Sequence, residues 1–162
     1  MEAPAELYVR ARAAFADHRE PVSRAMMPML SMAGATGVAV IRQMWKQENA
    51  PSIRRWVVEA AGAGSGRWVR PLLRQALADP AMTVRLHAIL VIGQRRDHVL
   101  AAEALPLAGD GSGGIRTNCL AMLADLKPTG WRTAVEAGLV DAKPYVRAQS
   151  QKILAKNEHS RA

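Results

Sequence analysis

Four arginines, Arg54, Arg85, Arg116 and Arg147, stand at 31-residue intervals, and each follows a β-branched residue: Ile53, Val84, Ile115 and Val146. Six residues before the last three lie Asp79, Asp110 and Asp141, and six before the first lies Glu48. The residues that follow keep the same period. Val57, Ala88, Cys119 and Ser150 form one small or apolar column, Ala60, Val91, Met122 and Ile153 a second, and Ala61, Ile92, Leu123 and Leu154 a third. Offsets of three and four residues between the columns are those of one face of an α-helix. A unit this short cannot bury its apolar face alone, so the period predicts helices stacked copy on copy. The expected fold is all-α, a right-handed α-solenoid of about five helix pairs.

Composition agrees with helices. Hydrophobic residues make up 49% of the 162 residues but aromatics only 4%, the apolar share being mostly Ala, Leu, Val and Met, which suit close helix packing. The length suits one domain: residues 1–157 are expected to form it, with 1–35 a cap and a degenerate repeat, 36–157 four repeats, and 158–162 a frayed tail. Cys119 is the single cysteine, which excludes an internal disulfide framework and a multi-thiolate metal site, and its column predicts a buried, unreactive thiol. The first twenty residues are mixed in charge and unlike a secretory signal, and no later run is long enough to span a membrane, so a soluble, cytoplasmic protein without membrane insertion is expected.

Residues 4–19 read as a first helix with Leu7, Tyr8, Ala11, Ala14 and Phe15 on one face. Pro21 then opens a degenerate copy in which Ser23 stands where the period calls for arginine and Pro28 interrupts or kinks the helix. Helices bearing the arginines are expected near 51–63, 82–95, 114–126 and 144–157, with Pro51 and Pro144 in their first turns. Partner helices are expected near 36–47, 67–78, 97–108 and 129–140, and the glycine-bearing segments 61–66 and 109–114 as turns.

A helical pair with Asp, then Val-Arg five and six residues later, then small and aliphatic residues, resembles the HEAT repeat. The short form found in phycobilisome-lyase-like proteins and artificial consensus HEAT proteins is the most similar. Residues 79–94, DPAMTVRLHAILVIGQ, and 141–156, DAKPYVRAQSQKILAK, carry the pattern best; 110–123 departs by its glycines and 48–60 by Glu48 in place of aspartate. The resemblance implies an aspartate–arginine ladder between neighbouring repeats. Asp79, Asp110, Asp141, Arg54, Arg85, Arg116 and Arg147 are therefore expected to be structural.

The opposite face of the arginine-bearing helices is the inner, concave surface in that family. Here it carries Arg24, Arg55 and Glu59, Leu86 and Leu90, Thr117, and Lys152. Two leucines one turn apart, flanked by Trp56 and His87, predict a shallow apolar groove with charge at both ends. Such a groove suits the apolar face of a partner helix or peptide whose acidic groups meet the cations; the alternative is that the N-terminal helices fold over the patch. Arg67, Arg70 and Arg74 form a second cationic cluster, read first as a solvated convex face and alternatively as a contact for phosphate or acidic groups. Trp68 and Trp131, at the starts of two partner helices, are expected to pack between repeats, the alternative being platforms for base stacking.

With 22 Lys and Arg against 14 Asp and Glu, the net charge is +8, and an acidic partner follows from it. Catalytic patterns are sparse. Gly109, Gly111 and Gly114 satisfy G-x-G-x-x-G but follow a helix rather than a strand, and His18, His87, His98 and His159 show no ligand spacing with a carboxylate. The reading is a protein-interaction module, an adaptor, scaffold or assembly chaperone, with no cofactor and no metal. The alternatives are a nucleic-acid binder similar to the HEAT-like alkylpurine DNA glycosylases, for which no aspartate between aromatic residues is matched, and a bilin-lyase-like subunit, for which no pigment contact is matched.

Overall fold

The computed structural model describes residues 3–17 and 19–159, among which there are ten α-helices and no strand. Their order is α1 Pro4–Ala16, α2 Glu20–Met32, α3 Gly34–Gln47, α4 Pro51–Ala63, α5 Val69–Leu77, α6 Met82–Arg95, α7 His98–Glu103, α8 Gly113–Leu126, α9 Trp131–Ala137 and α10 Pro144–His159. Two 3₁₀ turns, Leu105–Gly109 and Gly138–Val140, follow α7 and α9. No described helix is long and apolar enough to cross a membrane. Of the tail expected to fray, residues 160–162 lie outside the described residues.

The helices α2, α4, α6, α8 and α10 begin at residues 20, 51, 82, 113 and 144, each 31 residues after the last. Local chemistry sets three of these starts. The Asp79, Asp110 and Asp141 carboxylates each accept the backbone N–H two residues on, from Ala81, Ser112 and Lys143, all at 2.8 Å. Each closed turn aims the chain into the next helix. Proline at the start of α4 and α10 costs no hydrogen bond there. By contrast α2 is not interrupted at Pro28, which lies exposed inside it. Three of these helices, α2, α6 and α8, are also followed by left-handed backbone on the period, at Gly34, Arg96 and Lys127, 62 and 31 residues apart, with φ 56°, 52° and 52°. The first-kind helices are shorter and less regular. After α7, Pro106 lacks the N–H that a continuing helix would use, and the chain tightens into the 3₁₀ turn.

Two compact units divide the chain between Ala88 and Ile89, inside α6. In the first, α4 packs against α1, α2, α3 and α5. Its buried arc is wide: Ile53, Trp56, Val57, Val58, Ala60 and Ala61 are all out of solvent. From α1, Leu7, Ala11 and Phe15 are buried, and the Phe15 ring stacks on Trp56 with centroids 6.3 Å apart. Ser23, where the period calls for arginine, is fully buried and donates to the Ala14 carbonyl at 2.8 Å. Between α2 and α3 the backbones touch, for a methyl on Gly37 would collide with the Leu30 carbonyl.

In the second unit, α8 packs against α7, α9 and α10. Leu120, Ala124, Val135, Val146 and Ile153 form its core, with Trp131 and Leu154 leaning on it. The Cys119 thiol is fully buried and donates to the Ala104 carbonyl at 3.4 Å. Burial, and then the Asp110 carboxylate, push its pKa up to about 12, so the nucleophilic thiolate is absent at neutral pH.

Candidate partner-binding site

Two arginine–aspartate pairs of the period face each other, one in each unit. Arg54 holds Asp79 with two parallel hydrogen bonds of 3.0 and 2.8 Å, and Arg116 holds Asp141 with two of 2.6 and 2.7 Å. The Arg54 and Asp79 side chains are only 12% and 7% exposed. Each guanidinium also ties down the turn before its own helix: Arg54 donates to Asn49, and Arg85, Arg116 and Arg147 donate to the carbonyls of Asp79, Asp110 and Asp141. These bonds occupy the side chains in holding turns and helices together. Arg116 in turn holds the Asp141 carboxyl below its ordinary pKa, with the Lys143 N–H adding to the effect.

Glu48 occupies the aspartate's place in the first copy, and the period supplies no arginine for it because Ser23 stands there. The cation comes from another helix. Arg12 of α1 donates to Glu48 Oε1 at 2.6 Å and Tyr8 donates to the same oxygen at 2.9 Å. Sequence periodicity had no means to find Arg12, since α1 lies outside the repeat.

The expected groove is closed in the first unit. Trp56, expected at its surface, is 1% exposed, which corrects that assignment: Phe15 stacks on its ring, and the guanidiniums of Arg55 and Arg24 lie 4.8 and 5.9 Å from its centre. Ile53 and Ala60, one turn to either side, mark the buried stripe to which Trp56 belongs. Arg24 stays exposed and pairs loosely with Glu20 at 3.7 Å, while Arg55 is half-buried. Glu59 and His87 are occupied with each other, the Glu59 carboxylate meeting His87 Nδ1. Leu86 is half-buried and Leu90, next on the same face of α6, is 41% exposed.

In the second unit the expected row supplies Thr117 and Lys152. Thr117 is half-buried, and its hydroxyl donates to the Gly113 carbonyl at 2.9 Å. Beyond it a cleft of ≈ 340 Å³ lies between α8 and α10. Ala121, Ala124 and Ile153 line it with apolar surface; Lys127, Lys152 and Lys156 bring cations, Asp125 one carboxylate, and Gln149 and Asn157 amides. Lys152 and Lys156 are one turn apart on α10 and both exposed. Lys127 ends α8 in left-handed backbone, with its ammonium 5.8 Å from the centre of the Trp131 ring. Of the charged residues here only Lys152 was singled out by the periodicity. Lys127 and Lys156 escaped because they lie past the turns on which the repeat columns were aligned.

Arg67, Arg70 and Arg74 are exposed at and before α5. Trp68 precedes α5 and packs its ring on Gly64, where a methyl would meet it at 2.7 Å; Trp131 packs into the core of the second unit. The glycines 109, 111 and 114 flank the turn before α8, where Arg116 binds the Gly111 carbonyl at 3.3 Å, and no described strand precedes them. His98 Nδ1 bonds the Leu126 carbonyl at 3.0 Å, whereas His18 lies outside the described residues. No protein-family model matches the chain, and no curated protein matches it.

Proposed function

We propose that the chain is a non-catalytic protein-interaction module of HEAT-like helix pairs in a right-handed α-solenoid, which takes an acidic and apolar segment of a partner protein into the cleft between α8 and α10. The 31-residue recurrence of helix starts supports the solenoid. The cleft itself carries the binding reading: three lysines surround an apolar floor of Ala121, Ala124 and Ile153. A helix presenting small apolar residues to that floor and carboxylates to the lysines would bury both sets of groups at once. Long lysine stems add apolar contact of their own while their ammonium groups stay wet. Little ordering is needed, since the cleft is framed by two packed helices, and preorganisation of that kind is what converts a small contact into affinity. The module is a scaffold or adaptor on this reading, in the cytoplasm and without a cofactor.

The test is capture of partners from a native lysate by the tagged protein and by its Lys152→Glu/Lys156→Glu variant, each with and without nuclease. A protein recovered at stoichiometric level despite nuclease, and lost at least about tenfold with the variant, is the expected result, because like charges placed in a contact cost several kcal/mol. Equal recovery by the variant would move the site away from α8 and α10.

A further inference from the structure

We infer that the surface shared by α3 and α5 in the first unit is a second binding site, one for single-stranded nucleic acid. A cleft of ≈ 190 Å³ lies there, lined by Trp45, Trp68, Pro71 and Leu72, with Arg42 and Lys46 at its edge and Gln75 across from Trp45. Both indoles are half-buried and held in place. The Trp45 N–H donates to Gln75 Oε1 at 2.7 Å, and the Trp68 ring rests on Gly64. Rings fixed in this way stack on a planar ligand without first being ordered.

The charged residues of segments 34–47 and 60–78 are all basic. Arg42, Lys46 and Arg67 are exposed, as are Arg70 and Arg74 further along, and neither residues 34–47 nor residues 60–78 contain an Asp or Glu. Cations that track a backbone beside aromatic platforms are what binding of single strands without sequence preference requires. A duplex hides its bases from the indoles, and an acidic peptide would use the cations without needing the two rings. The volume of the cleft is below the ~300–1,000 Å³ of sites for drug-sized ligands and suits a single planar ring.

The experiment is titration of the full chain into a fluorescein-labelled 15-nucleotide oligothymidylate, followed by anisotropy between low and physiological salt. Neutralising phosphates with Arg42, Lys46 and Arg67 gives a slope of log K against log salt of about −2, at ~0.7 per phosphate on single strands. Arg42→Ser/Lys46→Ser should reduce that slope by about 1.4. Trp45→Leu should weaken binding about tenfold at an unchanged slope, as loss of one stacked base does. Because Arg42 and Lys46 are exposed, the double variant decides the matter even if Trp45→Leu fails to fold. Three results would each overturn the assignment. The first is no binding at low salt. The second is polyglutamate binding as tightly as the oligonucleotide, with the double variant weakening both alike. The third is Lys152→Glu/Lys156→Glu reducing oligonucleotide affinity as much as the α3 variant, which would place the contact in the second unit.

Discussion

A guanidinium and a carboxylate withdrawn from water together respond unequally to the loss of one and the loss of both. Arg54 and Asp79 form such a pair, bidentate and about nine-tenths out of solvent. Asp79→Ala strands the arginine charge and also removes the acceptor for the Ala81 N–H. It is expected to cost about 3–5 kcal/mol in urea unfolding, whereas Arg54→Met/Asp79→Leu together should cost far less, since replacing a whole buried pair by apolar groups is often neutral. Asp141 supplies a pH dependence with a definite sign. Its carboxyl is held below the ordinary value, first by the Arg116 hydrogen bonds, so its stabilisation is present above the unfolded pKa of ~3.9 and is lost as pH falls through the lower folded value. Acid titration of helical content should show unfolding displaced upward in pH for Asp141→Asn. At this scale the sequence was informative because a carboxylate and an arginine, both repeated at one interval, have little to do except meet. It misplaced Trp56, whose column holds Ala25, His87, Asn118 and Gln149 in the other copies; the stack with Phe15 depends on a helix that the period does not contain.

At the scale of elements, the five helices on the period start within a residue of where proline, aspartate and the apolar columns put them. The intervening helices were less legible, because Pro71 and Pro106 are placed by the turns around them and not by a repeated face. The element whose cap position was expected, but whose individual contacts the period did not name, is α1. It is fastened by Phe15 on Trp56 and by Arg12 and Tyr8 on Glu48. Desolvation, and then the Glu48 hydrogen bond, raise the Tyr8 phenol pKa, so this contact is weakened only as strongly alkaline pH ionises the phenol. Glu48→Ala removes the shared acceptor of both donors. Hydrogen exchange should then rise across residues 4–16 by an order of magnitude or more, with α5 protected as before, since local openings draw on local contacts. Uniform loss of protection across the first unit would show instead that α1 and the rest of it open together.

At the scale of the molecule, the net charge of +8 is distributed with a purpose that composition alone does not reveal. Arg54, Arg85, Arg116 and Arg147 spend their charge on turns and carboxylates within the fold. Lys127 and Lys152 at the α8–α10 cleft, and Arg42, Lys46 and Arg67 at α3 and before α5, lie exposed at the surface. Separating these populations requires knowing which helices lie side by side. Lys152 lines a cleft, whereas Trp56 of the same expected row is buried, and nothing in the period marks the cleft at Trp45.

The carboxylate of Glu48, answered by a residue from outside the repeating pattern, bears on how such chains are rearranged. A period of 31 invites the idea that whole copies can be deleted, duplicated or transplanted at will. Here the first copy is not interchangeable with the others. A chain shortened to begin at Glu20 would leave Glu48 without Arg12 and Tyr8 and would bare the ring of Trp56, whereas a graft that carried α1 along would keep the opening copy intact.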